Sequence, residues 1–155
     1  MTAIIRLGKK IDTISQMEFT ASSLSGSKTD WNGGGSGRVK VLTALDSGRR
    51  IVRLEETGEL RVGAGRSVPF HNTYRLTWYA DYIRLHHERF GSEHAVWLFD
   101  LIEDPKHSDG LISQAPHPCG DDRYSARLVL DDEGFSMSWK IEGPRKNEHL
   151  HYRYR

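Results

Sequence analysis

The sequence predicts an all-β protein, a single antiparallel up-and-down β-barrel of about 8–10 strands with little helix. The C-terminal stretch is the clearest sign. Phe135, Met137, Trp139 and Ile141 alternate with Ser136, Ser138, Lys140 and Glu142, the period of a strand with one face buried and one in water. Gly143-Pro144 interrupts the run, and Leu150, Tyr152 and Tyr154 then resume it opposite His149, His151, Arg153 and Arg155. About nine or ten such short segments follow one another along the chain, joined by tight turns. No stretch of a dozen residues keeps a helical period instead. Strands joined in sequence need their edges covered, and closing the sheet on itself covers all of them.

Composition is consistent with one domain spanning residues 1–155, large enough for a real core. Hydrophobic residues make up 37% and charged residues 28% of the chain, which is polar for a globular protein. Four tryptophans, six tyrosines and five phenylalanines nevertheless argue against wholesale disorder. The formal net charge of +1 is too balanced for nucleic-acid binding by bulk electrostatics. A single cysteine, Cys119, excludes an internal disulfide framework. Met1 to Arg6 lacks the apolar run of a secretory leader, and no segment approaches membrane-spanning length. The expectation is a soluble cytoplasmic protein with neither nucleic acid nor membrane as partner, and with a homodimer possible.

In chain order, Ile4 to Phe19 reads as strand, with a short helix as the rival. Residues 21–36 read as a flexible Ser/Gly-rich loop, in which Trp31 is the exception that plugs something nearby. From Arg38, the apolar positions Val39, Val41 and Leu45 form a strand that ends at the Asp46-Ser47-Gly48 turn. Ile51 to Glu56 is the next strand, and Thr57-Gly58 signals a tight hairpin into Glu59–Val62. After the Gly63-Ala64-Gly65 loop come strands at His71–Trp78 and Tyr82–Glu88. Ala95 to Ile102 is apolar on both faces except at Asp100, as a well-covered strand should be. A long polar loop over 103–123 leads to Tyr124–Leu130 and an Asp131-Asp132-Glu133-Gly134 turn.

Several of these segments carry a further likeness. I-R-L-G-K-K-I-D (5–12), L-E-E-T-G-E-L (54–60), H-P-C-G-D-D-R-Y (117–124) and W-K-I-E-G-P-R-K-N with a terminal Y-R resemble an uncharacterised bacterial and fungal domain family. That family carries a "domain of unknown function" label. The resemblance spans nearly the whole chain and implies a calycin-like, lipocalin-type barrel; it implies no activity. The sequence departs from the family pattern at Ile5, where a tryptophan is expected, and at Leu54, where a tyrosine is. Val96-Trp97 stands in place of a Phe-His pair. A chemistry that relied on that histidine would be missing here.

Chemistry-bearing motifs are sparse. His117, Cys119 and Asp122 are metal-capable types within six residues, but no C-x-x-C pair accompanies them and isolated triplets of this kind are common in loops. No metal is assigned, and the sequence names no cofactor. The same residues contain the types of a Cys–His nucleophile pair, yet residues two apart on an extended loop seldom bring sulfur to imidazole. Gly33-Gly34-Gly35 lacks the G-x-x-x-x-G-K-[ST] spacing and the following helix of a phosphate loop. His86 and His87 are neighbours in a strand and point to opposite faces; His87, on the Ile83/Leu85 face, is the one expected inside.

The charged residues that interrupt apolar faces are the better candidates. Small barrels are filled by side chains or hold one ligand. Glu56, Arg75, Arg145 and Lys146 supply both signs of charge, and they would converge at one barrel mouth unless they simply face water. His87, His117, Asp122, Tyr124 and Trp139 complete the candidate ligand-binding set. Arg145 is the favoured anion contact, because a guanidinium holds a carboxylate or phosphate in two parallel hydrogen bonds. Its competing role is an internal salt bridge with Glu56. The leading function is therefore binding of a small anionic or amphipathic molecule inside the barrel. The alternatives are an enzyme of hydrolase or isomerase type in the same cavity, with His117 or His87 as acid or base, and an oligomerisation or scaffold module.

Overall fold

The structure is a computed structural model that describes residues 1–28, 32–63, 65–115 and 117–155, with the side chains of His117 and Cys119 outside the description. A helix, α1 (Ala3–Lys10), runs into a single 3-10 turn at Ile11–Thr13. Eleven strands follow: β1 (Gln16–Ser23), β2 (Gly33–Asp46), β3 (Arg49–Val62), β4 (Ser67–Trp78), β5 (Tyr82–His87) and β6 (Val96–Glu103), then β7 (Gly110–Ser113), β8 (His117–Cys119), β9 (Asp122–Leu130), β10 (Phe135–Glu142) and β11 (Asn147–Tyr154). No described helix is long and apolar enough to cross a membrane.

All described pairings are antiparallel. The sheet runs β10-β11-β1-β2-β3-β4-β5-β6-β7-β9, and pairing of β9 with β10 closes it into a ten-stranded barrel. The short β8 lies outside the ring, on the same edge of β9 as β7. The predicted fold class holds at this level: all-β, antiparallel, closed, with little helix.

Four local expectations are corrected, the last of them the long loop over 103–123, where Gly110–Ser113 instead pairs with β6 and β9 and His117–Cys119 with β9. The first is the strand expected over Ile4–Phe19, which holds only from Gln16; the part before it is the short helix weighed as its rival. Ile4, Leu7 and Ile11 are spaced for one helical face, Thr2 accepts a hydrogen bond from the Ile5 N–H, and all three apolar residues are buried. The decisive partner is a hundred residues away, where the Glu103 carboxylate accepts hydrogen bonds from the N–H groups of Ala3 and Ile4. Such a carboxylate satisfies the free donors of a helix start.

The second correction concerns Thr57-Gly58, where β3 continues without a turn. Gly58 faces Gly37 of β2, and a Cβ on Gly58 would lie 2.1 Å from the Ser36 carbonyl oxygen. The glycine is there for close approach of two backbones. The third concerns the loop expected over 21–36. Residues 21–23 belong to β1 and 33–36 to β2, and they pair with each other and with β11 and β3. Main-chain hydrogen bonds need no side chain, so a glycine run can still form a strand between two partners. Trp31 lies outside the described residues.

One end of the barrel is closed. Leu7 and Ile11 bury themselves in the core, Trp78 Nε1 donates to the Ile4 carbonyl at 3.2 Å, and an Arg50 guanidinium N–H donates to the Gly8 carbonyl. Phe99, Phe135, Leu101, Leu111 and Leu128 fill the space behind the helix, each at most 2% exposed. Burying a side chain of this size stabilises by about 1.5–3 kcal/mol.

Candidate functional site

At the end of the barrel away from α1, the interior is not filled. A cavity of about 740 Å³ opens there, within the range of about 300–1,000 Å³ usual for small-molecule sites. Strand alternation explains which side chains line it. Register places Glu56 opposite Asn72, Tyr152 opposite Phe19 and Leu150 opposite Ala21, and residues directly opposite in an antiparallel pair share a face. Leu60 and Phe70 continue that face towards the mouth. Phe19 stacks on Tyr152 at 5.5 Å and meets Phe70 edge-on at 5.7 Å. Gly33 and Gly34, also on the lining, carry no side chain to occupy the space.

Glu56 is the one carboxyl among the described residues of this lining and is 1% exposed. The Tyr154 hydroxyl donates to its Oε2 at 2.5 Å, its only described hydrogen bond. Burial pushes the carboxyl up to about 7, with the Tyr154 bond opposing the rise. Removal from water disfavours the charged form, and no cation contributes in the other direction. Tyr74, Tyr152 and Tyr154 surround it, all three held above the ordinary phenol value by burial first, Tyr152 up to about 12. At neutral pH these phenols stay protonated and Glu56 is the group poised to titrate. The Asn72 side-chain oxygen is also buried here without a hydrogen-bond partner.

Arg89 sits just past β5 on the rim. Its positive charge acts on both His87 and Tyr152, its guanidinium lies 6.0 Å from the Phe90 ring, and it forms no ion pair among the described residues. Phe90 is 66% exposed at the mouth. Neither residue belongs to the set drawn from the sequence, and neither do Phe19, Phe70 and Asn72. Arg89 and Phe90 follow the last alternating residue of a strand, where periodicity stops giving direction. Phe19, Phe70 and Asn72 are ordinary strand positions that become a site only when β1, β4 and β11 are brought together.

Of the residues singled out from the sequence, Glu56 lines the cavity. His87 is paired with Tyr74 on the inward face and meets Phe90 edge-on at 6.4 Å; burial lowers its basicity, with Arg89 adding to the effect. Trp139 is core, 6% exposed and packed against Phe99 at 5.2 Å and Tyr74 at 6.0 Å. Tyr124 is partly buried against the same core. Lys146 and Asp122 are brought together at 3.4 Å, beside the Gly143 corner and not on the cavity lining. The side chain of His117 lies outside the description.

Arg75 and Arg145 stand elsewhere than expected. Arg75 shares the outer face with Arg53, and both bind the buried Glu88 carboxylate, at 3.0 and 2.8 Å. This three-residue bridge ties β3, β4 and the end of β5 together on the outside. His86 is beside it, lowered to about 4 by burial and then by Arg75 and Arg84. Arg145 is exposed at the β10–β11 corner, with its carbonyl accepting from Lys28 N–H and its guanidinium unpaired among the described residues. The competing Arg145–Glu56 bridge is absent, because Arg145 is exposed at its corner while Glu56 is buried inside the barrel.

A family model described as a family of unknown function (DUF6314) matches residues 20–155 of the chain. No curated protein matches it. No solved structure matches it either.

Proposed function

For a chain that belongs to the family of unknown function DUF6314, we propose a binding role, in which a calycin-type barrel holds one small amphipathic molecule in its open half. The observation that carries this reading is the cavity of about 740 Å³, walled by Phe19, Leu60, Phe70, Leu150 and Tyr152 and carrying few polar groups. Apolar walls with a few placed polar groups are the usual form of such a site. An anionic end, if the ligand has one, would meet Arg61 or Arg89, the arginines on the lining.

Titration with Nile red, an uncharged dye that brightens in apolar surroundings, tests the reading. The expected result is saturable one-to-one binding that weakens at least tenfold in Ala21→Trp, which fills the cavity from its wall. Equal dye binding by the wild type and a folded Ala21→Trp variant would overturn it. A second reading, an enzyme in the same cavity, is favoured by Glu56 alone, since a carboxyl near 7 can exchange protons at neutral pH. In that reading Glu56 takes the acid–base role for which the motifs suggested His117 or His87.

A further inference from the structure

We propose that the cavity is built for a ligand with a basic head, an amine carried on an apolar body, and that Glu56 is the residue that receives the amine. The inference rests on the binding reading above and specifies its chemistry.

The charge distribution around Glu56 is one-sided. A buried carboxyl is tolerated when a cation or several donors face it. Glu56 has a single described donor, the Tyr154 hydroxyl, and that donor comes from the packed half beneath the cavity. The described cations near this level of the barrel are committed elsewhere or set apart. Arg53 and Arg75 are on the outer face with Glu88. Arg61 and Arg89 line the cavity, Arg89 beside Tyr152 and His87, with His71 next to Asn72, and none of the three forms a described bond to Glu56. The titratable groups that do face Glu56 are phenols: Tyr74 from β4, and Tyr152 and Tyr154 from β11. None of them can supply positive charge.

The second observation is Asn72. It stands directly opposite Glu56 on β4, also lines the cavity, and its side-chain oxygen is buried with no partner. A carboxyl and an amide oxygen side by side are two acceptors awaiting donors. A primary ammonium group carries three donors and a positive charge, and it satisfies both. Phe19, Phe70, Leu60 and Leu150 then take the apolar body. The raised position of the Glu56 carboxyl agrees with a site whose cation is still missing.

Competition against bound Nile red decides the matter, with dodecylamine, dodecanol and dodecanoate as probes of equal chain length, each below its micelle concentration. At pH 7.5, dodecylamine is expected to displace the dye at least tenfold more tightly than dodecanol. That advantage should vanish in Glu56→Gln and survive in Arg89→Gln. In the wild type it should also grow from pH 5.5 to pH 8 as Glu56 loses its proton, a readout that stands even if Glu56→Gln folds poorly. Equal displacement by all three probes overturns the amine assignment and leaves the binding reading intact. Preference for dodecanoate, lost in Arg89→Gln, overturns it in favour of an anion site on the rim. An amine preference unchanged in Glu56→Gln also overturns it. Failure of Nile red itself to bind removes the underlying binding reading.

Discussion

The two halves of this barrel use the same strands to opposite ends. Below the level of Glu56, inward positions carry Leu54, Leu76, Leu85, Leu101, Leu128, Phe135 and Trp139, and the gap they line is about 20 Å³, room for roughly one water molecule. Above that level, inward positions of β2 are glycines, and the lining opens into about 740 Å³. The lower half is closed off by α1, a plug held by side chains from distant strands. The upper half has no such plug among the described residues. The difference teaches that barrel closure and core formation are separable. Strand pairing is continuous over both halves, while side-chain volume decides where the protein is solid.

The largest test of this contrast is on the solid side. Leu7, fully buried on α1, should cost about 2–5 kcal/mol when cut to alanine, from lost transfer energy and the space left behind. Denaturant unfolding measures it, and Nile red affinity of the folded fraction should be unchanged. A cost below about 1 kcal/mol would mean that the helix is not a structural plug.

Glu56→Gln probes the boundary between the halves through pH. Below pH 4.5 the carboxyl is protonated whether the chain is folded or not, so its ionisation costs the fold nothing. As pH rises from 4.5 to about 7, the unfolded chain gives up the proton first and becomes favoured. Above about 7 the loss is complete, at about 3 kcal/mol for a shift of this size. Relative to the wild type, the Glu56→Gln variant should therefore gain stability as pH rises from 4.5 to about 7 and hold that gain above it. Unfolding curves at four or five pH values would show it, and a difference independent of pH would contradict the buried, cation-free setting.

The smallest effect is expected at Arg145. Exposed at its corner and unpaired among the described residues, it should tolerate alanine within about 0.5 kcal/mol. Its distance from the cavity lining predicts unchanged Nile red affinity as well. Weakened binding in Arg145→Ala would return this residue to the site and enlarge the open half beyond the lining seen here.

Much of the fold was legible because alternation is a local signal. Phe135–Ile141 announces β10 without reference to anything else, and its buried and exposed positions alternate as read. Where a long-range partner decides the outcome, the sequence misled. Ile4–Lys10 becomes helix because Glu103 and Trp78 hold it, and neither is near it in sequence. Gly58 looks like a turn until Gly37 is seen opposite. The site was harder still. Glu56 could be singled out as a charge on an apolar face, but so could Arg75, whose odd-numbered position on β4 sends it outward to Glu88. Arg89 lies in a connection, where no period assigns a direction. The aromatic wall exists only across strands that are far apart in the chain.

The place of β11 in the ring has a consequence for how the molecule is made. It lies between β1 and β10, and it brings Tyr154 to Glu56 across 98 positions of chain. As the chain emerges from a ribosome, β1 has only β2 beside it, and its other edge stays unpaired until nearly everything else has been synthesised. The barrel must therefore close late, by a long-range step of the kind that makes all-β domains fold in milliseconds to seconds. During that interval β1 and β10 both present open edges, which are templates for pairing with another chain. The same strand that completes the wall of the cavity thus also ends the period in which the nascent protein is most exposed to aggregation.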